Sequence, residues 1–333
     1  MSSNTFRAML VTESNENEFS REIVNRPIAA LPEGEVLINV KYSSLNYKDA
    51  LSASGNKGVT RNYPHTPGID AAGIVVESKN KNFCAGEEVL VTGYDLGMNT
   101  SGGYSQYIQV PADWIVKLPD HLSLRESMIY GTAGFTAALS VYKMINGGIK
   151  PASGNILVTG ATGGVGSIAV SILHKLGYQV IAATGKPEAK DMLLQIGAKD
   201  ILLREELNDL SGRTLLKGAW AGVIDTVGGN MLSTALKSTN YGGSVTCCGN
   251  VASPKLLTSV YPFILRGITL YGIDSVMCPM DVRLKLWSLL ANEWKPHNLE
   301  QNVAEVSLDG LHKKIDLILQ GKLQGRTIVN LDL

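Results

Sequence analysis

Apolar positions along Asn155–Leu176, NILVTGATGGVGSIAVSILHKL, change their period once. A short apolar strand comes first and a glycine-rich turn follows. Beyond the turn, Val165, Ile168, Ala169, Ile172, Leu173 and Leu176 recur at the spacing of one helix face. The turn carries Ala161, Gly163 and Gly166, a G/A-x-G-x-x-G pattern between strand and helix, where a dinucleotide pyrophosphate meets a helix N-terminus. The first small residue permits the tight turn, Gly163 lets backbone approach phosphate, and Gly166 lets the helix pack closely on its strand. A purely structural βα turn would use the same glycines, but the legible strand and helix on either side favour the phosphate site.

The pattern elsewhere divides the chain. From Phe6 to about Leu118 short alternating strands are punctuated by Gly and Pro: RAMLV, EVLINVKYSSLN, AAGIVVES, EEVLVTG and YSQYIQV. They predict a largely antiparallel, barrel-like domain without a long helix. From Leu122 the segment LSLRESMIYGTAGFTAALSVYKMI reads as helices, with Ser123 and Glu126 placed as a capping box. After the glycine turn, QVIAATGK, DILL, GVIDTVGG and GGSVTCCGN read as strands alternating with the helices EAKDMLLQIGA and MLSTALKST. That alternation predicts a doubly wound parallel sheet ending near ITLYGI. The tail, with helices VRLKLWSLLANEW and LHKKIDLILQ and strands VAEVSL and RTIVNLDL, is too small for its own core and is expected to return to the first domain. The expected boundaries are 1–121, 122–270 and 271–333.

A length of 333 residues accommodates two domains, since single cores split beyond about 250–300 residues. The formal net charge is zero, which offers no electrostatic footprint for nucleic acid and no basic surface for a membrane. No apolar run approaches a membrane span, and MSSNTFRAML has no basic region followed by an apolar one, so a cytoplasmic location is expected. Cys84, Cys247, Cys248 and Cys278 fit no paired zinc pattern and read as buried free thiols, and the five histidines show no metal-ligand spacing.

A site for NAD ends its second strand with an acid for the ribose 2′-hydroxyl. Here that place is Thr184-Gly185-Lys186, and Arg204 ends the next strand. A hydroxyl and cations suit a 2′-phosphate, so NADPH is expected over NADH. The plain alternative is that Lys186 is a solvated surface charge.

LNYKD (45–49), PGIDAAGIV (67–75), GGYSQY (102–107), GTAGFTA (131–137) and VTGATGGVG (158–166) together resemble the medium-chain dehydrogenase/reductase superfamily over nearly the whole chain. IDTVGG (224–229), YPFILRGITLYGIDSVMCPMDVR (261–283) and QGRTIV (324–329) resemble its bacterial group of quinone-oxidoreductase-like proteins that includes the acrylyl-CoA reductases. The resemblance implies an α/β fold: a GroES-like, β-barrel-type catalytic domain with an inserted Rossmann domain, NADPH dependence and commonly a homodimer. Where zinc alcohol dehydrogenases carry Gly-His-Glu, with its metal-ligand histidine, this chain has Gly68-Ile69-Asp70, and the four-cysteine lobe is missing. No zinc is expected. Family cofactor positions carry over to Tyr47 at the nicotinamide end, to Thr162, Gly163, Gly164 and Val165 at the pyrophosphate, and to Thr184, Gly185, Lys186 and Arg204 at the 2′-phosphate. Asn250, Ile264, Ser275 and Lys322 complete the set on resemblance alone.

Without a metal Lewis acid, the natural substrate is a carbon-carbon double bond already activated by a carbonyl, such as the unsaturated thioester acrylyl-CoA. Tyr47 is the candidate catalytic donor or orienting group, against a reading in which it only packs beside the cofactor. Asp49 reads as a structural acid that caps a following turn or helix. A reductase of small quinones and a non-catalytic NADPH-binding protein are the alternatives.

Overall fold

The structure is a computed structural model describing residues 5–15 and 17–333. The opening residues 1–4, on which the leader argument partly rests, lie outside the described residues, as does Glu16. In chain order the elements are β1 (Thr5–Glu13), β2 (Phe19–Pro27), β3 (Val36–Ser44), α1 (Tyr47–Ser52), β4 (Asp70–Ser78), β5 (Glu88–Thr92), β6 (Tyr107–Val110), β7 (Ile115–Lys117) and α2 (Leu124–Asn146). There follow β8 (Ile156–Val158), α3 (Gly164–Lys175), β9 (Val180–Thr184), α4 (Lys190–Gln195), β10 (Asp200–Leu203), β11 (Trp220–Asp225), α5 (Gly229–Ser238) and β12 (Thr239–Cys247). The last are α6 (Tyr261–Arg266), β13 (Thr269–Gly272), α7 (Met280–Ala291), β14 (Val303–Ser307), α8 (Leu311–Leu319) and β15 (Arg326–Asn330).

They form two compact units. One comprises the chain up to Thr132 with Val276–Ala291 and Asn302–Leu333; the other comprises Ala133–Ser275 and Asn292–Gln301.

In the first unit a sheet runs β14-β15-β3-β4-β5-β7, with β6 also on β3. All its pairings are antiparallel except β14 with β15. Alternation makes the core: Val36, Ile38 and Val40 of β3 are buried, whereas Leu37, Asn39 and Lys41 between them are not. This is the GroES-like domain. The hairpin partner β2 escaped the sequence reading because FSREIVNRP is polar and only half-buried, and three-residue β7 gives too short a pattern.

In the second unit the six strands are all parallel, in the order β10-β9-β8-β11-β12-β13. Every residue of β9 is buried, as a strand covered on both faces requires. Helix α3 buries Ile168, Ala169, Ile172 and Leu173 of the face read from the spacing, but it also buries Ser167, Val170 and Ser171, and Val165 and Leu176 are only half-buried. The order in which strands are added reverses between β8 and β11, the switch point at which a doubly wound Rossmann sheet opens a crevice beyond its strand ends. The predicted helix EAKDMLLQIGA is shorter than its apolar pattern: Pro187–Ala189 make a 3₁₀ turn and only Lys190–Gln195 are α-helical.

Helix α2 starts at the expected capping box: Glu126 N–H donates to Ser123 Oγ at 3.1 Å, and Ser123 N–H donates to Glu126 Oε2 at 3.0 Å. It kinks at Gly131, whose φ of 49° and ψ of −156° leave the helical region. The thiols need correction. All four are free, but only Cys278 is buried, Cys84 is exposed and the vicinal pair is intermediate.

Candidate functional site

In the second unit the glycine turn ends strand β8 and opens α3. Gly163 caps the helix, and Gly163 N–H closes the turn on Gly160 O at 2.9 Å. A Cβ on Gly166 would stand 2.7 Å from Ala161 Cα, so glycine there is what lets the helix meet its strand. The first N–H groups of α3, from Gly164 and Val165 onward, have no intrahelical acceptor and present partial positive charge at the strand ends. The base of the crevice is tied by Asp225, which accepts from Thr159 Oγ1 at 2.7 Å and Gly228 N–H at 2.8 Å. Burial pushes the Asp225 carboxyl up.

Beside the turn, Thr162 and Thr184 are both buried, with their hydroxyls 3.5 Å apart. Lys186 N–H donates to Thr184 Oγ1 at 3.0 Å. Leu203 of β10 is in register with Thr184 of β9, so the next residues, Arg204 and Gly185, leave adjacent strand ends together. The Arg204 guanidinium lies against Gly185, where an added Cβ would come within 2.6 Å of Cζ. Burial lowers the Lys186 pKa, and nearby Glu188 opposes that shift. The helix start at Thr162–Val165 and the strand ends at Thr184, Gly185, Lys186 and Arg204 are thus neighbours, with Arg204 Nε also paired to Glu205 Oε1 at 3.3 Å. An anion with three acceptor oxygens suits the place: cations at the rim, hydroxyls at the floor, and no carboxylate at the end of β9.

Next to Arg204 opens a cavity of about 540 Å³, whose polar lining includes Asn208, Asn230, Ser253 and Lys255. Sequence reasoning did not reach these residues. Asn208, Ser253 and Lys255 sit on loops without a periodic pattern and Asn230 opens α5, so only their place beyond strand ends marks them.

Of the positions carried by resemblance, Asn250 lies in the loop after β12, its Cα 3.3 Å from where a Cβ on Gly228 would be. Ile264 is exposed on α6, and Ser275 is buried, accepting from Thr136 Oγ1 at 2.8 Å. Tyr47 and Lys322 belong to the other unit. The 540 Å³ cavity contains none of these five.

In the first unit Tyr47 is the first residue of α1, with its side chain substantially exposed. Beneath it lies a cluster of buried polar groups that the sequence reading missed. Asp49 accepts from Asn46 N–H at 2.9 Å and from Ile69 N–H at 2.8 Å, so it caps its own helix rather than a later one. The Asn46 amide donates to Asp49 Oδ2 at 3.1 Å and to Asp70 Oδ2 at 2.7 Å. Asp70 also accepts from Ser44 Oγ at 2.5 Å, and from Thr132 N–H at 2.9 Å and Thr132 Oγ1 at 2.6 Å. Arg326 donates to Ser44 Oγ at 2.9 Å and to the carbonyls of Ile129 and Leu45 at 2.7 and 3.2 Å. Burial first, then the charge of Asp70, pushes the Asp49 carboxyl up to about 7. A signal existed: IDAAG and GRTIV each set a lone charge inside an apolar strand, the mark of a buried partnership.

The donor set at Gly68-Ile69-Asp70 does not suit zinc. Ile69 offers no ligand atom, and the Asp70 oxygens are taken by the four donors above. Among the described residues no group of three or more His, Cys, Asp or Glu could hold a metal ion, and no helix is long and apolar enough to cross a membrane. Tyr94 belongs to the packing, stacked on Trp114 at 5.6 Å with Arg283 over its ring at 4.6 Å.

Comparison with known proteins agrees with this geometry. The alcohol dehydrogenase GroES-like domain model matches residues 32–120, and the zinc-binding dehydrogenase model matches residues 164–292. The chain is 48% identical over 323 residues to YhfP of Bacillus subtilis (strain 168), which carries a provisional quinone oxidoreductase name; the match covers 97% of this chain and 98% of that protein. It is 43% identical to the acrylyl-CoA reductase AcuI of Ruegeria pomeroyi, over 98% of this chain and 99% of that one. The yhdH oxidoreductase from Salmonella enterica, solved in complex with NADP, superposes with a TM-score of 0.95 at 43% identity, over 98% of this chain and 99% of that chain. Bacillus subtilis yhfP with NAD bound gives a TM-score of 0.96 at 47% identity, over 99% of this chain and all of that one. The chain belongs to the medium-chain dehydrogenase/reductase superfamily, within its zinc-independent quinone oxidoreductase and acrylyl-CoA reductase family.

Proposed function

We propose that this protein is an NADPH-dependent reductase of an activated carbon-carbon double bond, with an unsaturated acyl-CoA such as acrylyl-CoA as substrate. The observation that carries the cofactor reading is the surface at the ends of β9 and β10, with Thr184 and Lys186 where an acid would read an unphosphorylated ribose, and Arg204 against Gly185. Bound NADPH would supply the hydride. The α3 N-terminus with Thr162, Gly163, Gly164 and Val165 would hold the pyrophosphate, and Thr184, Gly185, Lys186 and Arg204 the 2′-phosphate. Tyr47, Asn250, Ile264, Ser275 and Lys322 would complete the binding surface. Reduction at the β-carbon leaves negative charge on the acyl oxygen and requires a proton at the α-carbon, and the Tyr47 hydroxyl is the candidate donor to either. Residues 1–121 and 271–333 would form the catalytic domain and residues 122–270 the nucleotide domain, in a cytoplasmic homodimer. The exposed apolar side chains of Val260 and Leu265 at α6 support the dimer.

Steady-state NADPH oxidation tests the substrate. The expected result is a kcat/KM for acrylyl-CoA at least about tenfold above that for small quinones. The reverse order favours quinone reduction, the reading supported by the name of YhfP. Stoichiometric NADPH binding without turnover of enones, quinones or acyl-CoA esters would leave only a binding protein.

A further inference from the structure

Helix α1 is six residues long, far below the roughly 12–15 at which a helix holds itself in water. Tertiary contacts therefore hold it: Tyr63 Oη donates to Ser52 O at 2.7 Å at its far end, and a separate set of contacts fixes its N-terminus, where Tyr47 sits. The anchor is the residue immediately before the tyrosine. The Asn46 side-chain amide donates to both buried carboxylates, Asp49 at 3.1 Å and Asp70 at 2.7 Å, while its backbone N–H is held by Asp49 at 2.9 Å. Asp70 in turn grips Thr132 by its N–H and hydroxyl, one residue past the kink of α2. Its neighbour Ser44 Oγ receives the Arg326 guanidinium at 2.9 Å. The start of α1, the kink of α2 and β15 are joined through one carboxylate. The two carboxyls share one buried place, where burial and Asp70 favour the protonated form of Asp49, and Asn46 is the side chain that hydrogen-bonds both.

We infer that Asn46, bridging Asp49 and Asp70, is a positioning residue that fixes the orientation of Tyr47 for the reaction. The inference rests on the role proposed above for Tyr47. Asn46 touches neither substrate nor cofactor in this account: it acts through the backbone it shares with the tyrosine and through the carboxylates beneath.

The test uses Asn46→Ala, Tyr47→Phe and the double variant in the full-length protein, with acrylyl-CoA and NADPH as probes. Asn46→Ala is expected to lower kcat by on the order of tenfold to a hundredfold, as misplacement of a reacting group does. NADPH affinity, titrated by fluorescence without turnover, is expected to stay within about threefold, and the double variant to lose little beyond the worse single one. A kcat within about twofold of the parent, or fully additive losses, overturns the inference. Where Tyr47→Phe itself has no effect on kcat, the role of the tyrosine has failed, and ring-labelled tyrosine NMR decides the positioning separately. The signal missing from the Tyr47→Phe spectrum identifies that ring. An identical shift and linewidth in Asn46→Ala would overturn the inference, whereas averaging supports it. Should Asn46→Ala not fold, Asn46→Ser keeps a helix-capping hydroxyl but cannot span both carboxylates, and the same measurements apply.

Discussion

At the scale of single residues, Asp49 makes a pH-dependent statement. Its carboxyl is raised to about 7 by burial and by Asp70, far above its value in an unfolded chain. The native protein therefore keeps a proton that the unfolded chain has lost between roughly pH 4 and pH 7. The sign follows: this group's contribution to stability is complete below about pH 4 and is lost as pH rises through about 7. Asp49→Asn is expected to melt lower overall, because one amide oxygen cannot serve the N–H groups of both Asn46 and Ile69. Its Tm should nevertheless fall less between about pH 5 and pH 8 than that of the parent, and parallel pH curves by calorimetry would refute the assignment. The cofactor rim makes a second prediction. Lys186→Ala is expected to weaken NADPH binding by about tenfold while changing NADH much less, since only the former offers a 2′-phosphate to the ammonium. Equal effects in a fluorescence titration would remove Lys186 from the phosphate site.

At the scale of elements, two places in α2 can be probed. Ser123→Ala removes one half of the capping box and is expected to cost about 1 kcal/mol in urea-unfolding free energy, with the glycine turn untouched. Gly131→Ala should be far worse: its φ of 49° disfavours any side chain, and the new Cβ would stand 2.5 Å from both Asp70 Oδ2 and Ser44 Oγ. A Gly131→Ala protein as stable as the parent would show that the kink is not held by that cluster. The same helix shows what a sequence can reveal. The capping box, α3 and the buried strand β9 were legible because each writes a local pattern: a side chain three residues on, a 3.6-residue period, an unbroken apolar run. The cluster around Asp70 was not, since its members come from β3, α1, β4, α2 and β15 and share no spacing. The cavity beside Arg204 stayed hidden for a related reason, its polar lining being drawn from loops after β10 and β12 and from the start of α5. Phosphate recognition by a helix N-terminus is local and was readable; the groups that shape the rest of the site are long-range.

At the scale of the whole molecule, ligand binding should register as stability. A cofactor that binds only the native state at a hundredfold excess over its Kd adds about 2.7 kcal/mol. NADPH is therefore expected to raise Tm more than NADH at equal concentration, and hydrogen exchange should slow at the Thr159–Gly166 turn. Equal shifts for both nucleotides, measured by differential scanning fluorimetry, would count against a 2′-phosphate site at Lys186 and Arg204.

The Arg326 contact with Ser44 joins residues 282 positions apart in sequence. During translation at about 5–20 residues per second, that interval lasts tens of seconds. Throughout it the nascent first unit has Asp49 and Asp70 but no guanidinium to offset them, and β3 has no β15 beside it. The residues of the second unit up to Ser275, contiguous from Ala133, emerge earlier and contain all six strands of their sheet. All the strands of the inserted unit are thus synthesised while the unit that flanks it in sequence still lacks β14 and β15, which would reverse the usual N-terminal-first order of folding.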